Sequence, residues 1–127
     1  MDLYRESLSG ARLKACYDLA SGPVRRYLAA EIDHVLSRIG PDDRILDLGC
    51  GYGRTASEFA RKARLVVGID TSMASLSFGW PGLRNLENVA LLQMDASRLG
   101  FGGKGGARAN WLSTHLVCKS RISLEPD

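Results

Sequence analysis

The sequence predicts an α/β domain built on a doubly wound parallel sheet, from three observations. Short apolar runs near residues 44–48, 65–69 and 89–93 read as buried strands. Helical apolar patterns alternate with them, the order that parallel sheets require. The first run passes directly into Gly49-Cys50-Gly51-Tyr52-Gly53, a glycine-rich turn that opens a helix. Right-handed crossovers would then set the second strand between the first and third.

The elements follow in order. Leu13, Cys16, Tyr17 and Ala20 lie on one side of a short helix begun at Ser9 or Gly10. Ser21-Gly22-Pro23 starts a second helix, with proline in its first turn, where a missing N–H costs nothing. Val24, Tyr27, Leu28, Val35, Leu36 and Ile39 form its apolar stripe, and Gly40-Pro41 ends it. Asp42-Asp43 turns into the first strand. After the glycine turn, Ala56, Phe59, Ala60 and Ala63 mark the inner face of a short helix with Arg61, Lys62 and Arg64 near its end. Leu65-Val66-Val67-Gly68-Ile69 is the second strand, closed by Asp70. Ser72 caps a helix through Met73 and Leu76 that Gly79-Trp80-Pro81-Gly82 is expected to break. Val89–Gln93 is the third strand, followed by Asp95-Ala96.

Glycines let backbone approach a ligand closely, and an acid at the tip of the next strand is where a ribose diol is gripped. One reading takes Gly51-Tyr52-Gly53-Arg54-Thr55-Ala56 as G-x-G-x-x-A, a fingerprint of NAD-binding domains, with Asp70 on the ribose. The other takes Leu46-Asp47-Leu48-Gly49-Cys50-Gly51-Tyr52-Gly53 as one unit, and this unit resembles motif I of the class I S-adenosylmethionine-dependent methyltransferases. Asp47 favours the second reading. A carboxylate there repels a diphosphate but attracts the sulfonium and ammonium of S-adenosylmethionine.

Asp70 in Val67-Gly68-Ile69-Asp70-Thr71-Ser72 matches the family's ribose-binding acid, and Asp95-Ala96 matches the acid and small residue that contact adenine. The resemblance covers roughly residues 41–101. It implies a Rossmann-like sheet, the N-terminal half of the class I methyltransferase fold. It also implies a cofactor site of Asp47, Gly49, Cys50, Gly51, Gly53, Asp70, Thr71, Asp95 and Ala96. The implied activity is methyl transfer to a small-molecule acceptor, with this short chain alone expected to transfer poorly or not at all because the family's acceptor-holding segments after strand four are missing. The alternatives are a non-catalytic S-adenosylmethionine-binding module, or fragment needing a partner, and an NAD-binding Rossmann domain. No catalytic base is identified. Methyl transfer depends chiefly on aligning the acceptor with an already activated carbon.

The remaining features set bounds. At 127 residues the chain holds one domain, and its net charge of +3, without a basic stripe, gives no footprint for nucleic acid. No apolar run is long enough to span a membrane and no signal peptide begins the chain, so a cytoplasmic setting is expected. Cys16, Cys50 and Cys118 form neither a disulfide framework nor a metal site. Cys50 is read as a small residue offering its backbone, Tyr17 as core packing in preference to closing over the site, Tyr52 as a pocket wall and Arg54 as a helix-surface charge. His34 is read as exposed and structural, and His115 is given no catalytic role.

Three parts are expected: a helical segment over 1–40, the cofactor-binding core over 41–101 and an irregular tail over 102–127. Gly102-Gly103-Lys104-Gly105-Gly106 has no means to pack, and the Phe-Asp pair that opens strand four in the family is absent. Trp111–Cys118 is at best one short strand beside the first. Truncation or a frameshift after the third strand is the favoured explanation, with an uncovered edge on the first strand open to self-association.

Overall fold

The structure, a computed structural model, describes residues 10–98 in full and the backbone of 108–112 and 115–119. Helices α1 (Ala11–Asp18) and α2 (Gly22–Leu36) precede β1 (Arg44–Leu48), α3 (Arg54–Phe59), β2 (Leu65–Asp70), α4 (Met73–Leu83) and β3 (Val89–Gln93). Two further strands follow, β4 (Arg108–Leu112) and β5 (His115–Lys119). They form one sheet in the order β3-β2-β1-β5-β4. β1, β2 and β3 are parallel, with β2 in the middle of the three, as expected.

Register explains the core. Ile45 pairs with Val66, which pairs with Val89, so this row shares one face of the sheet. That face is covered by Val35 and Ile39 from α2 and its C-terminal extension, Ala56 and Phe59 from α3, and Leu83 from α4. Leu46, Val67 and Ile69 pack on the other face. Asn88 ties β3 to the end of α3, donating to the Ala60 and Ala63 carbonyls at 2.8 and 3.1 Å.

Three sequence expectations are corrected. β1 has no uncovered edge: β5 pairs antiparallel with it, Ile45 opposite Lys119 and Asp47 opposite Val117. The single strand expected over Trp111–Cys118 is instead two, paired antiparallel as a hairpin that turns back onto β1. The physical reason is that hairpin pairing satisfies the backbone groups β1 would otherwise present to water. Second, α4 is not broken at Gly79-Trp80-Pro81-Gly82 but runs through Pro81 to Leu83. Leu76 and Leu83, seven residues apart on one helix face, are both buried, and their burial holds the last turn together despite the missing N–H. Third, α3 ends at Phe59, and Ala63 reaches the core from the turn beyond it.

The glycine-rich stretch at 102–106 and Phe101 lie outside the described residues. His34 is exposed, as read. Among the described residues no helix is long and apolar enough to cross a membrane, and no cluster could hold a metal.

Candidate functional site

The glycine turn leaves the carboxyl end of β1 and enters α3, with Gly49, Gly51 and Gly53 all at positive φ of 70°, 57° and 85°. Left-handed backbone at three alternate positions is affordable only without side chains. The Ile69 carbonyl at the end of β2 accepts from Gly49 and Cys50 N–H at 2.8 and 3.0 Å. Asp70 completes the fixing of the turn: one carboxylate oxygen accepts from Gly51 N–H at 2.9 Å and the other from Ser72 N–H at 2.8 Å. The turn is thus stitched to the tip of the neighbouring parallel strand.

Asp47 is 1% exposed and accepts from the Thr55 hydroxyl at 2.7 Å. Thr55 was not foreseen as a site residue. Its signal was positional: a hydroxyl in the first turn of the helix that follows a strand-end acid. Cys50 is buried, and its thiol is pushed up by that burial, reinforced by the Asp47 and Asp70 carboxylates. Both effects favour its protonated form, consistent with the small-residue reading.

A glycine at 49 leaves real space, since a Cβ there would meet nothing within 4 Å. Gly51 is different: the Leu13 side chain of α1 lies 3.0 Å from where its Cβ would be. α1 has no buried residue of its own and lies against the turn. Gly10 N–H, at its start, donates to the buried Ser75 hydroxyl of α4 at 2.9 Å. Tyr17 meets Tyr52 edge-on with ring centroids 6.3 Å apart, and Tyr52 meets Phe78 edge-on at 6.0 Å. The Arg54 guanidinium sits 4.3 Å over the Tyr17 ring. Burial raises the Tyr52 phenol above its ordinary value, and Arg54 partly opposes that. Tyr17 is therefore half-buried at the turn rather than in the core, and Arg54 faces inward rather than standing as a plain surface charge.

Leu13, Tyr17, Gly49, Cys50, Gly51, Tyr52, Arg54 and Thr55 line a small, half-open hollow of about 40 Å³. Asp95 and Ala96 are exposed, and Asp95 accepts from Ser97 through both its N–H, at 2.9 Å, and its hydroxyl, at 2.8 Å. They follow β3 at the same end of the sheet, where Met94 N–H donates to the Asp70 carbonyl at 3.1 Å. Thr71 is half-buried beside Asp70, its carbonyl accepting from Gln93 at 3.2 Å.

Ligand chemistry can be tested on this geometry. A backbone cradle with open space at Gly49, flanked by two carboxylates and walled by aromatic rings, suits a cationic nucleoside and disfavours a diphosphate. What the fold and site define is a nucleoside-cofactor domain of the methyl-transfer type. A family described as the methyltransferase domain matches residues 45–118, and the chain belongs to that family. S-adenosylmethionine is the family's methyl donor, and the residues present fit it.

A probable cobalt-precorrin-6B C(15)-methyltransferase (decarboxylating) of Methanobrevibacter smithii is 33% identical over 79 residues, spanning 60% of this chain and 42% of that protein. A probable ribosomal RNA small subunit methyltransferase A of Methanosarcina acetivorans is 24% identical over 90 residues, 67% of this chain and 34% of the relative. The YcgJ protein of Bacillus subtilis shares the fold, with a TM-score of 0.54 at 23% identity over 57% of this chain and 33% of its own. The chain therefore spans between a third and somewhat under half the length of these relatives.

Proposed function

We propose that the protein is an S-adenosylmethionine-dependent methyltransferase that acts on a small-molecule acceptor. One observation carries the donor half: from the ends of adjacent parallel strands, Asp70 holds Gly51 of the glycine turn and Asp47 holds Thr55 just after it. Asp47 would face the methionine ammonium, Asp70 the ribose hydroxyls, and Asp95 with Ala96 the adenine. Gly49, Cys50, Gly51, Gly53 and Thr71 would offer backbone. When bound, the cofactor supplies an electrophilic methyl group. The chain's own contribution is to bind it, orient it and keep Cys50 protonated beside it.

The small-molecule acceptor is supported by the mild net charge of +3 and the absence of a basic stripe. The relatives include a ribosomal RNA methyltransferase by name, so acceptor class is what the test must separate. In the family the acceptor is held by segments after strand four. Here β5 runs antiparallel to β1, which carries its His115 end toward the glycine turn. The β4–β5 hairpin is thus the element available on that side. Calorimetry of the chain with S-adenosylhomocysteine, S-adenosylmethionine and NAD tests the donor half. Micromolar binding of the first two and none of NAD is expected; tighter NAD binding would return the case to a dinucleotide domain. Product formation is then compared between mixed small acceptors and ribosomal RNA.

A further inference from the structure

Among the described residues lining the aromatic hollow is a positive charge that the donor-site reading does not use. Arg54 directly follows the glycine turn and lines the hollow with Tyr17, Tyr52 and Thr55. It takes no part in the Lys14–Asp18 or Arg61–Glu58 ion pair, and the contact it makes is with the Tyr17 ring. Cation–π contact with the ring consumes none of the guanidinium's five N–H donors, which can therefore receive a carboxylate in fork geometry. The next residue, Thr55, donates its hydroxyl to Asp47. Arg54 and Thr55, consecutive residues of α3, both line the hollow, so a cation stands beside the hydroxyl that touches the Asp47 carboxylate. An α-amino-acid group carries the matching pair, an ammonium and a carboxylate on one carbon.

We propose that Arg54 is the anion anchor of the site and takes the α-carboxylate of the cofactor's methionine moiety, with Tyr17 as the platform that orients it. The inference rests on the S-adenosylmethionine reading above and adds a residue and a chemical group to it. An anionic acceptor would present the same chemistry, so the test uses two nucleosides that differ in the amino-acid portion. S-adenosylhomocysteine carries the carboxylate; 5′-methylthioadenosine lacks the amino-acid end altogether.

Both are titrated calorimetrically into the wild-type chain, Arg54→Ala and Arg54→Lys. Loss of a charge-assisted contact predicts about a 10- to 100-fold weaker S-adenosylhomocysteine complex for Arg54→Ala, with methylthioadenosine unchanged within about twofold. Arg54→Lys, which keeps charge but loses the stacked fork, falls between. Retained methylthioadenosine binding also shows that the variant is folded. Equal weakening of both nucleosides, or unchanged binding of S-adenosylhomocysteine, overturns the anchor while leaving the cofactor reading intact. If the wild-type chain binds neither nucleoside, the cofactor reading falls and the anchor falls with it.

Discussion

Gly79 sits in the middle of α4, where helix propensity alone would favour alanine by about 1 kcal/mol. The structure reverses that expectation. A Cβ at Gly79 would lie 1.9 Å from the Tyr52 carbonyl oxygen, 2.5 Å from its carbonyl carbon and 2.8 Å from its Cα. All three are backbone atoms, so no rotamer change relieves the clash. α4 would have to retreat by more than about 1 Å to reach normal contact distance. That retreat would lift Leu76 and Leu83 from the core and open the Tyr52–Phe78 contact. Overpacking of this kind costs about 1–3 kcal/mol and occasionally more. We expect Gly79→Ala to lose about 3 kcal/mol, because the obstacle is backbone and two core leucines move with the helix. Gly82 on the same helix is the matched control. A Cβ there meets nothing within 4 Å. Gly82→Ala should therefore stabilise the chain by about 0.5–1 kcal/mol through reduced backbone entropy. Urea denaturation followed by circular dichroism reads both. Opposite signs for two identical substitutions three residues apart are expected; Gly79→Ala as stable as Gly82→Ala would refute the close-approach argument.

Three further outcomes follow from the site. Thr55→Val removes the hydroxyl that donates to buried Asp47 and should cost about 1–3 kcal/mol in denaturation, with Thr55→Ser restoring most of it. At pH 8, iodoacetamide followed by peptide mapping should label exposed Cys16 and spare Cys50; because the Cys50 thiol is raised, stability it contributes is intact below its ordinary value of 9.0 and is lost as pH climbs beyond it, an alkaline loss that Cys50→Ala should remove. Asp70→Asn should lower stability by about 1–3 kcal/mol in the absence of any ligand.

The parts legible in the sequence are those whose chemistry is local. The three parallel strands were fixed by apolar runs, and β1 and β3 fall at the expected residues. Gly49, Gly51 and Gly53 could be read because positive φ is a property of single residues. The parts that were not legible depend on a partner distant in sequence. Pro81 reads as a breaker until Leu76 and Leu83 are seen to be buried. Gly79 reads as another breaker until the Tyr52 backbone is seen against it. The hairpin was obscured because its pairing with β1 spans some seventy residues, a non-local contact that no window of sequence reveals. Tyr17 and Arg54 were misplaced for the same reason: a helix's apolar side says that something is covered, not that it is the glycine turn.

Asp70 shows why a ligand-binding residue and a structural one need not be different residues. Its two oxygens already hold Gly51 and Ser72 through their N–H groups, at 2.9 and 2.8 Å. A carboxylate has about four acceptor sites, so two remain for the hydroxyls of a ribose. Asparagine cannot reproduce this. Its single oxygen can serve one of the two N–H groups, and its amide then presents a donor to the other. One backbone N–H at the turn is left unsatisfied, which carries a desolvation cost of about 1–3 kcal/mol. A residue whose role was confined to the ribose would show no change in ligand-free stability on this substitution. A stability loss without ligand, together with weaker nucleoside binding, would show that turn shape and ribose contact are set by the same carboxylate. Ligand-free stability unchanged from wild type would mean that the Ile69 carbonyl, which holds Gly49 and Cys50, suffices to fix the turn alone.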